Sequence, residues 1–285
     1  MALSGENLSA GGDPGWRMTT RRVARAALID TTVPNPARVG DYLYGGRNNF
    51  DADRKIAEAM KAVAPVVGTL APAMRAFHQR AVRHVVAEAG VRQFIDIGTS
   101  LVVSGGTHEV AQAIDPCCRV VYVDDDPVVL AHARALITST PEGVTRCLDA
   151  SVRDVSEIIS GAWDTLDFGQ PIAILLLATM TFIPDTATAA GIVSSLLSVM
   201  APGSHVILYH QASDLHPALL VATRRWNLKA TKKVTLRTRA EVASLVAGLD
   251  LVPPGLVPIC EWRPVPGDPR FEDIVPVHAL VARKP

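Results

Sequence analysis

The chain has 285 residues, is 48% hydrophobic and carries a formal net charge of zero. That is enough apolar content for one large core, or a core plus a smaller cap. The charge balance argues against nucleic acid or an anionic membrane as partner, and the longest apolar runs, such as residues 172–178, are too short to span a bilayer. The four cysteines, Cys117, Cys118, Cys147 and Cys260, show no metal-ligand spacing. They read as reduced thiols in a cytoplasmic protein, and the N-terminus lacks the apolar segment of a signal peptide.

In chain order, residues 1 to about 16 are rich in Gly, Ser and Pro, and residues 1–29 are expected to form a disordered tail. Four arginines between residues 17 and 25 read as a solvated face. Residues 30–90 are expected to form a helical cap and lid. The stretch 34–54 mixes aromatics, glycines and polar groups without a clean period, as loops that cover a site often do. Helical patterns follow over 52–67 and 72–89, with Gly90 as a C-cap. From residue 91 the pattern alternates strands and helices, which predicts an α/β fold with a mostly parallel, doubly wound sheet. Strands are expected at 93–97, 120–124, 144–148, 171–178, 204–209 and 275–283, with a broken one over 250–259.

Residues 93–97 stop at Gly98, as a buried strand entering a tight turn does. The next strand ends on Asp124, with Asp125 beside it, at the spacing expected for a ribose-binding acid. Asp126 followed by Pro127 reads as an N-cap and first helical position, so Asp126 is structural and Asp124 functional. The turn after Gly98 lacks Gly-x-Gly-x-x-Gly, which argues against a dinucleotide. Ligands bind at the carboxyl ends of strands in open α/β sheets. That rule gathers Gly98, Thr99, Asp124, Ser151, residues 179–182 and His210 at one rim. His210 and Asp214 are candidate bases there, and Tyr209 a weaker one; a hydrogen-bonded structural role is the alternative for His210.

The run Phe94-Ile95-Asp96-Ile97-Gly98-Thr99, the lid from Ala37-Arg38-Val39 to Asp53-Arg54, Thr107-His108-Glu109-Val110-Ala111, and the stretches 121–136, 175–185 and 255–264 together resemble the actinobacterial S-adenosyl methyltransferase family. The resemblance implies a Rossmann-like methyltransferase fold with a helical N-terminal cap, S-adenosylmethionine as cofactor, and a small-molecule substrate, as in bacterial specialised metabolism. It implies that Asp96 shapes the pocket, Gly98 faces the methionine part, Asp124 the ribose, and residues near Ser151 the adenine. It also implies that Arg38, Asp41, Tyr42, Gly45, Gly46 and Asn49 close over the ligand. The chain departs from the family pattern at Ser100 (usually glycine), Leu101-Val102-Val103 (usually Leu-Pro-Thr), Ser151 (usually an acid), Thr181 (usually histidine), Gly40 (usually tyrosine) and Met74 (usually asparagine). A Cβ at Ser100 disfavours positive φ, and each lost hydrogen bond costs about 1 kcal/mol.

Three readings remain open at this level. The first is a methyltransferase, for which a positioned base is sometimes needed. The second is an enzyme on the same fold that does not methylate, for example one that closes a ring with loss of an anionic leaving group. Arg38, Arg47, Asn49, Arg75 and Arg80 would then be candidates to hold that group. The third is a non-catalytic scaffold. A partner protein or a homodimer completing the site is compatible with all three.

Overall fold

Strand β1 (Gln93–Ile97) is buried from end to end, and β2 (Arg119–Asp124) and β4 (Ile172–Leu177) are nearly so. Runs this apolar need cover on both faces, and helices provide it. The computed structural model describes residues 29–101 and 105–285, so the expected tail with its arginines, apart from Ile29, and the departures at Val102 and Val103 lie outside the described residues.

The remaining strands are β3 (Val144–Asp149), β5 (His205–Gln211), β6 (Asp250–Leu251), β7 (Val257–Pro258) and β8 (Val277–Arg283). They form one sheet in the order β3, β2, β1, β4, β5, β8, β6, with β7 also paired to β8. β1 to β5 run parallel, and β8 is antiparallel to β5 and to both short strands. In the register, Ile97 stands opposite Val123 on one side and Leu176 on the other. Gly98, Asp124 and Leu177 therefore leave the sheet at one level.

Side chains alternate between two cores, as the two-residue period of a strand requires. Ile95, Ile97, Val121, Val123, Ile174 and Leu176 pack with α6 (Val155–Ala162), α7 (Thr186–Ser198) and α9 (Arg239–Ser244). Phe94, Val120, Tyr122, Leu175 and Ile207 face the other core, built with α3 (Val67–Ala87) and Trp262. Phe77 of α3 meets Trp262 edge-on with ring centroids 5.4 Å apart. Each such apolar side chain, fully buried, contributes about 1.5–3 kcal/mol.

A third, smaller cluster joins α1 (Pro36–Leu43), α2 (Asp51–Val63) and α8 (Pro217–Lys229) through Val39, Ile56, Ala57 and Trp226. Residues 30–90 thus build cores shared with the rest of the chain. The face of α3 belongs to the sheet, and α1 and α2 lean on a helix contributed by residues beyond 200. The break between α2 and α3 falls at Ala64, which precedes Pro65 and leaves the helical region with φ −148° and ψ 83°. α3 then runs through Pro72, where the sequence pattern places a helix start. Among the described residues no single helix is long and apolar enough to cross a membrane.

Candidate active site

A cavity of about 640 Å³ opens at the carboxyl ends of β1, β2 and β4. Its floor is the turn after β1. Gly98 sits at φ +83°, and a Cβ there would lie 2.5 Å from Thr179 Oγ1. That hydroxyl is held in place by donating to the Ile97 carbonyl. Glycine is therefore demanded both by conformation and by space. Beside it, among the described residues, Thr99 Oγ1 is buried without a hydrogen-bond partner. A buried polar atom of this kind costs free energy unless something fills the need.

Asp124 ends β2 on the cavity wall. One carboxylate oxygen accepts from the Asp126 amide at 2.9 Å. Burial pushes its carboxyl up to about 7, so this acid charges reluctantly in the cleft. Asp126 caps α5 (Pro127–Leu136) by accepting from the Val128 amide, as expected, and its other oxygen accepts from Asn35 Nδ2 at 2.6 Å. Asn35 is itself the N-cap of α1. The start of α1 is thereby tied to the loop after β2. Asp125 also lines the cavity, but its carboxylate is paired with Lys232 at 2.8 Å. Ser151 stands on the wall after β3. Asp96, buried in β1, is pushed up to about 6 by desolvation and accepts from Thr107 Oγ1 at 2.6 Å.

The lid residues are placed differently from the expectation. The segment after Asn35 is the helix α1, and its cavity face carries Pro36, Ala37, Gly40, Leu43 and Tyr44. Arg38, Asp41 and Tyr42 turn away. Arg38 is buried in an ion pair with Asp53 at 2.8 Å and donates to the Asp30 and Val33 carbonyls. Asp41 accepts from the Asn48 amide and from Asn49 Nδ2, both at 2.8 Å. Gly45 makes the left-handed turn at φ +80°, and Gly46 packs where any Cβ would strike the Asp41 carboxylate. The Tyr42 hydroxyl donates to Glu58. These polar groups satisfy one another and the turn's own backbone, as a sharp reversal between helices requires. They hold α1 and α2 together and do not line the cavity.

The two rim bases are also displaced. His210 is fully buried, with Nδ1 donating to the Gln211 carbonyl at 2.9 Å and Nε2 accepting from Arg237 at 2.7 Å. Burial holds it down to about 4, so it is neutral. Tyr209 and Gln211 line the cavity, and His210 between them faces the other side of the strand. Asp214 lies outside the cavity, bound to His278 Nε2 at 2.7 Å and to the Arg239 amide. Arg80 is consumed by the Ile259 and Trp262 carbonyls and by Asp268. Arg75 does line the cavity, its guanidinium 5.9 Å from the Tyr44 ring centroid.

Sequence reasoning missed His78. It belongs to a stripe on α3 formed by Val67, Leu70, Ala71, Met74 and Arg75, all on the cavity wall. The spacing of three and four residues is that of one helix face, and it was available from the sequence. Four of the departures from the family pattern, Gly40, Met74, Ser100 and Ser151, also line the cavity. Of the other two, Thr181 is buried away from it, and so is Leu101 of the 101–103 departure.

A parallel sheet closed by an antiparallel β8, with a cleft between a glycine turn and a carboxylate at its carboxyl edge, defines a Rossmann-like fold with a site suited to a nucleoside. Comparison with known proteins agrees. A family model described as S-adenosyl methyltransferase matches residues 22–285, and the chain belongs to that family. The crystal structure of a DUF574 family protein from Streptomyces avermitilis is 37% identical, with a TM-score of 0.86 over 90% of this chain and 100% of its own. A candidate methyltransferase from Thermobifida fusca is 32% identical, with a TM-score of 0.82 over 92% of this chain and 99% of its own. A comparison with curated proteins found no match. The protein is thus a methyltransferase with S-adenosylmethionine as cofactor. The cleft fits that group. Among the described residues Thr99 Oγ1 is buried and unpaired, Gly98 is exposed on the cavity floor, and Asp124 offers an acceptor where hydroxyls can reach it.

Proposed function

We propose that Gly98, Thr99 and Asp124 hold S-adenosylmethionine, and that the space beside it takes a small, largely apolar methyl acceptor. In this reading the backbone at Gly98 meets the methionine part, Asp124 accepts from the ribose hydroxyls, and Ala150, Ser151 and Val152 border the adenine. When bound, the cofactor supplies an electrophilic methyl group on a sulfonium. The chain's part is to orient the acceptor and exclude water.

The observation that supports this most is the composition of one continuous wall. The Gly98–Asp124 rim runs into Leu43, Met60, Leu70, Met74, Leu219 and Trp226 without leaving the cavity. Pockets of this size with few polar groups suit small ligands. Gly40 and Met74 supply no polar group, and nothing lies within 4 Å of a Cβ built at Gly40, so this part of the cavity is roomy and apolar.

Calorimetric titration with S-adenosylmethionine and S-adenosylhomocysteine tests the cofactor half, with micromolar binding expected. A screen of phenols, catechols and aromatic amines with methyl-labelled cofactor tests the acceptor half, with label expected on at least one of them. Absence of binding to the folded protein would overturn the cofactor assignment. Label appearing on added polypeptide or nucleic acid, and on none of the small molecules, would overturn the acceptor assignment.

A further inference from the structure

One side chain in the acceptor region has a chemistry that the fold has prepared. His78 Nε2 stands 2.8 Å from Thr107 Oγ1, and the Thr107 hydroxyl donates to Asp96 at 2.6 Å. A threonine hydroxyl has one proton. With Asp96 ionised, that proton is committed to the carboxylate, so Thr107 can only accept from the ring. Nε2 then carries the hydrogen, and Nδ1 carries a bare lone pair. Among the described residues Nδ1 has no hydrogen-bond partner, and His78 lines the cavity.

We propose that His78 is the general base of the reaction, and that the acceptor carries an acidic hydroxyl whose proton passes to His78 Nδ1. Thr107 and Asp96 are positioning residues behind it. This rests on the methyltransferase reading of the cavity and names the acceptor class. In the step, the hydroxyl proton goes to Nδ1 as an oxygen electron pair bonds to the methyl carbon. The bond from that carbon to sulfur breaks, and its electron pair stays on sulfur. The charge left behind is one proton on the ring, facing Asp96 through Nε2–H and Thr107. An acid behind a histidine fixes the tautomer and stabilises the imidazolium, the logic of a hydrolase triad on an unrelated fold.

The surroundings are consistent with this role. The titratable groups sharing this wall are Arg75 on α3, Asp96 on β1, Tyr44 after α1, Tyr209 on β5, Tyr122 on β2 and His108 at the start of α4 (Thr107–Gln112). Desolvation first and the Arg75 charge second push His78 down to about 4, so the ring is a free base at neutral pH. Burial pushes Tyr44 up to about 12 and Tyr209 well above its ordinary value. Neither phenol ionises to compete. His108 Nδ1 is bound to the Tyr122 hydroxyl at 2.7 Å, so it offers no lone pair at that nitrogen.

The test is nitrogen-15 resonance of the histidine rings in the full chain, assigned by the signal lost in His78→Asn. The expected result is a neutral ring at pH 7 with hydrogen on Nε2, and loss of that single tautomer in Thr107→Val. A ring protonated at pH 7, or hydrogen on Nδ1, would overturn the proposal without any acceptor being known. Calorimetry with S-adenosylmethionine separates the two readings. His78→Asn is expected to bind the cofactor as the wild type does, and a wild type that fails to bind it overturns the methyltransferase reading instead. With a phenol that accepts the label, His78→Asn is expected to lower kcat about a hundredfold or more, the usual contribution of a general base, with little change in KM. Transfer at the wild-type rate would overturn the assignment.

Discussion

Asp124 carries the sharpest prediction, because its two roles pull stability and binding in opposite directions. Its carboxyl is pushed from 3.8 up to about 7 by burial. Holding such a group ionised costs up to ~4 kcal/mol, and water entering the open cleft reduces this, leaving about 1–2 kcal/mol. Asp124→Asn removes the charge and keeps an oxygen for the Asp126 amide. The unliganded variant should therefore be more stable than the wild type at pH 8, with Tm higher by about 2–6 °C. The sign with pH follows. A raised folded pKa means that the native state holds the proton more tightly than the unfolded chain. Wild-type stability then falls as pH rises from about 4 to 7, and the advantage of the variant fades as pH drops through that window. Binding should move the other way. Losing the charge on two hydrogen bonds to the ribose costs about 2–4 kcal/mol, or roughly 30- to 1000-fold in Kd for S-adenosylmethionine. Thermal scans at pH 4.5 and 8 with calorimetric titration decide the matter. A variant that is less stable at pH 8 and binds the cofactor normally would refute the reasoning.

Three other outcomes are expected. Asp53→Ala strands Arg38 in the interior without its partner and frees the Asn35 and Phe50 amides that Asp53 holds; denaturant unfolding should show a loss of about 3–5 kcal/mol. Gly98→Ala places a Cβ against Thr179 in a left-handed conformation, which should cost about 1–3 kcal/mol of stability and weaken cofactor binding in the same calorimetric assay. His210→Gln should shrink the loss of stability between pH 7 and pH 5, measured by urea unfolding. The histidine is held down to about 4 from 6.5, so the unfolded chain gains a proton across that interval that the native state refuses.

Local features of the fold were legible in the chain alone. Runs of β-branched and leucine residues marked β1, β2 and β4, because a strand covered on both faces has no polar period to hide it. The spacing from Gly98 to Asp124 placed the two ends of the cleft, since a short crossover helix fixes the distance between neighbouring parallel strands. Asp126 and Pro127 announced the start of α5 through their own backbone preferences.

Tertiary structure decided which polar groups were spent. The Arg, Asp, Tyr and Asn of the segment before α2 read as a lid, because side chains of that kind often face a ligand. Their partners lie up to 16 residues away, Arg38 and Asn35 are bound by Asp53 in a neighbouring helix, and Asn35 also reaches Asp126 after β2. His210 shows a case where local reasoning would have sufficed: the two-residue period of β5 turns it from the cavity that Tyr209 and Gln211 line. His78 shows the opposite. Its place on α3 follows from helical spacing, but its tautomer depends on Thr107, 29 residues later, and on Asp96 in the sheet. A hydrogen bond acts over about 3 Å, and only the folded chain brings such residues within that reach.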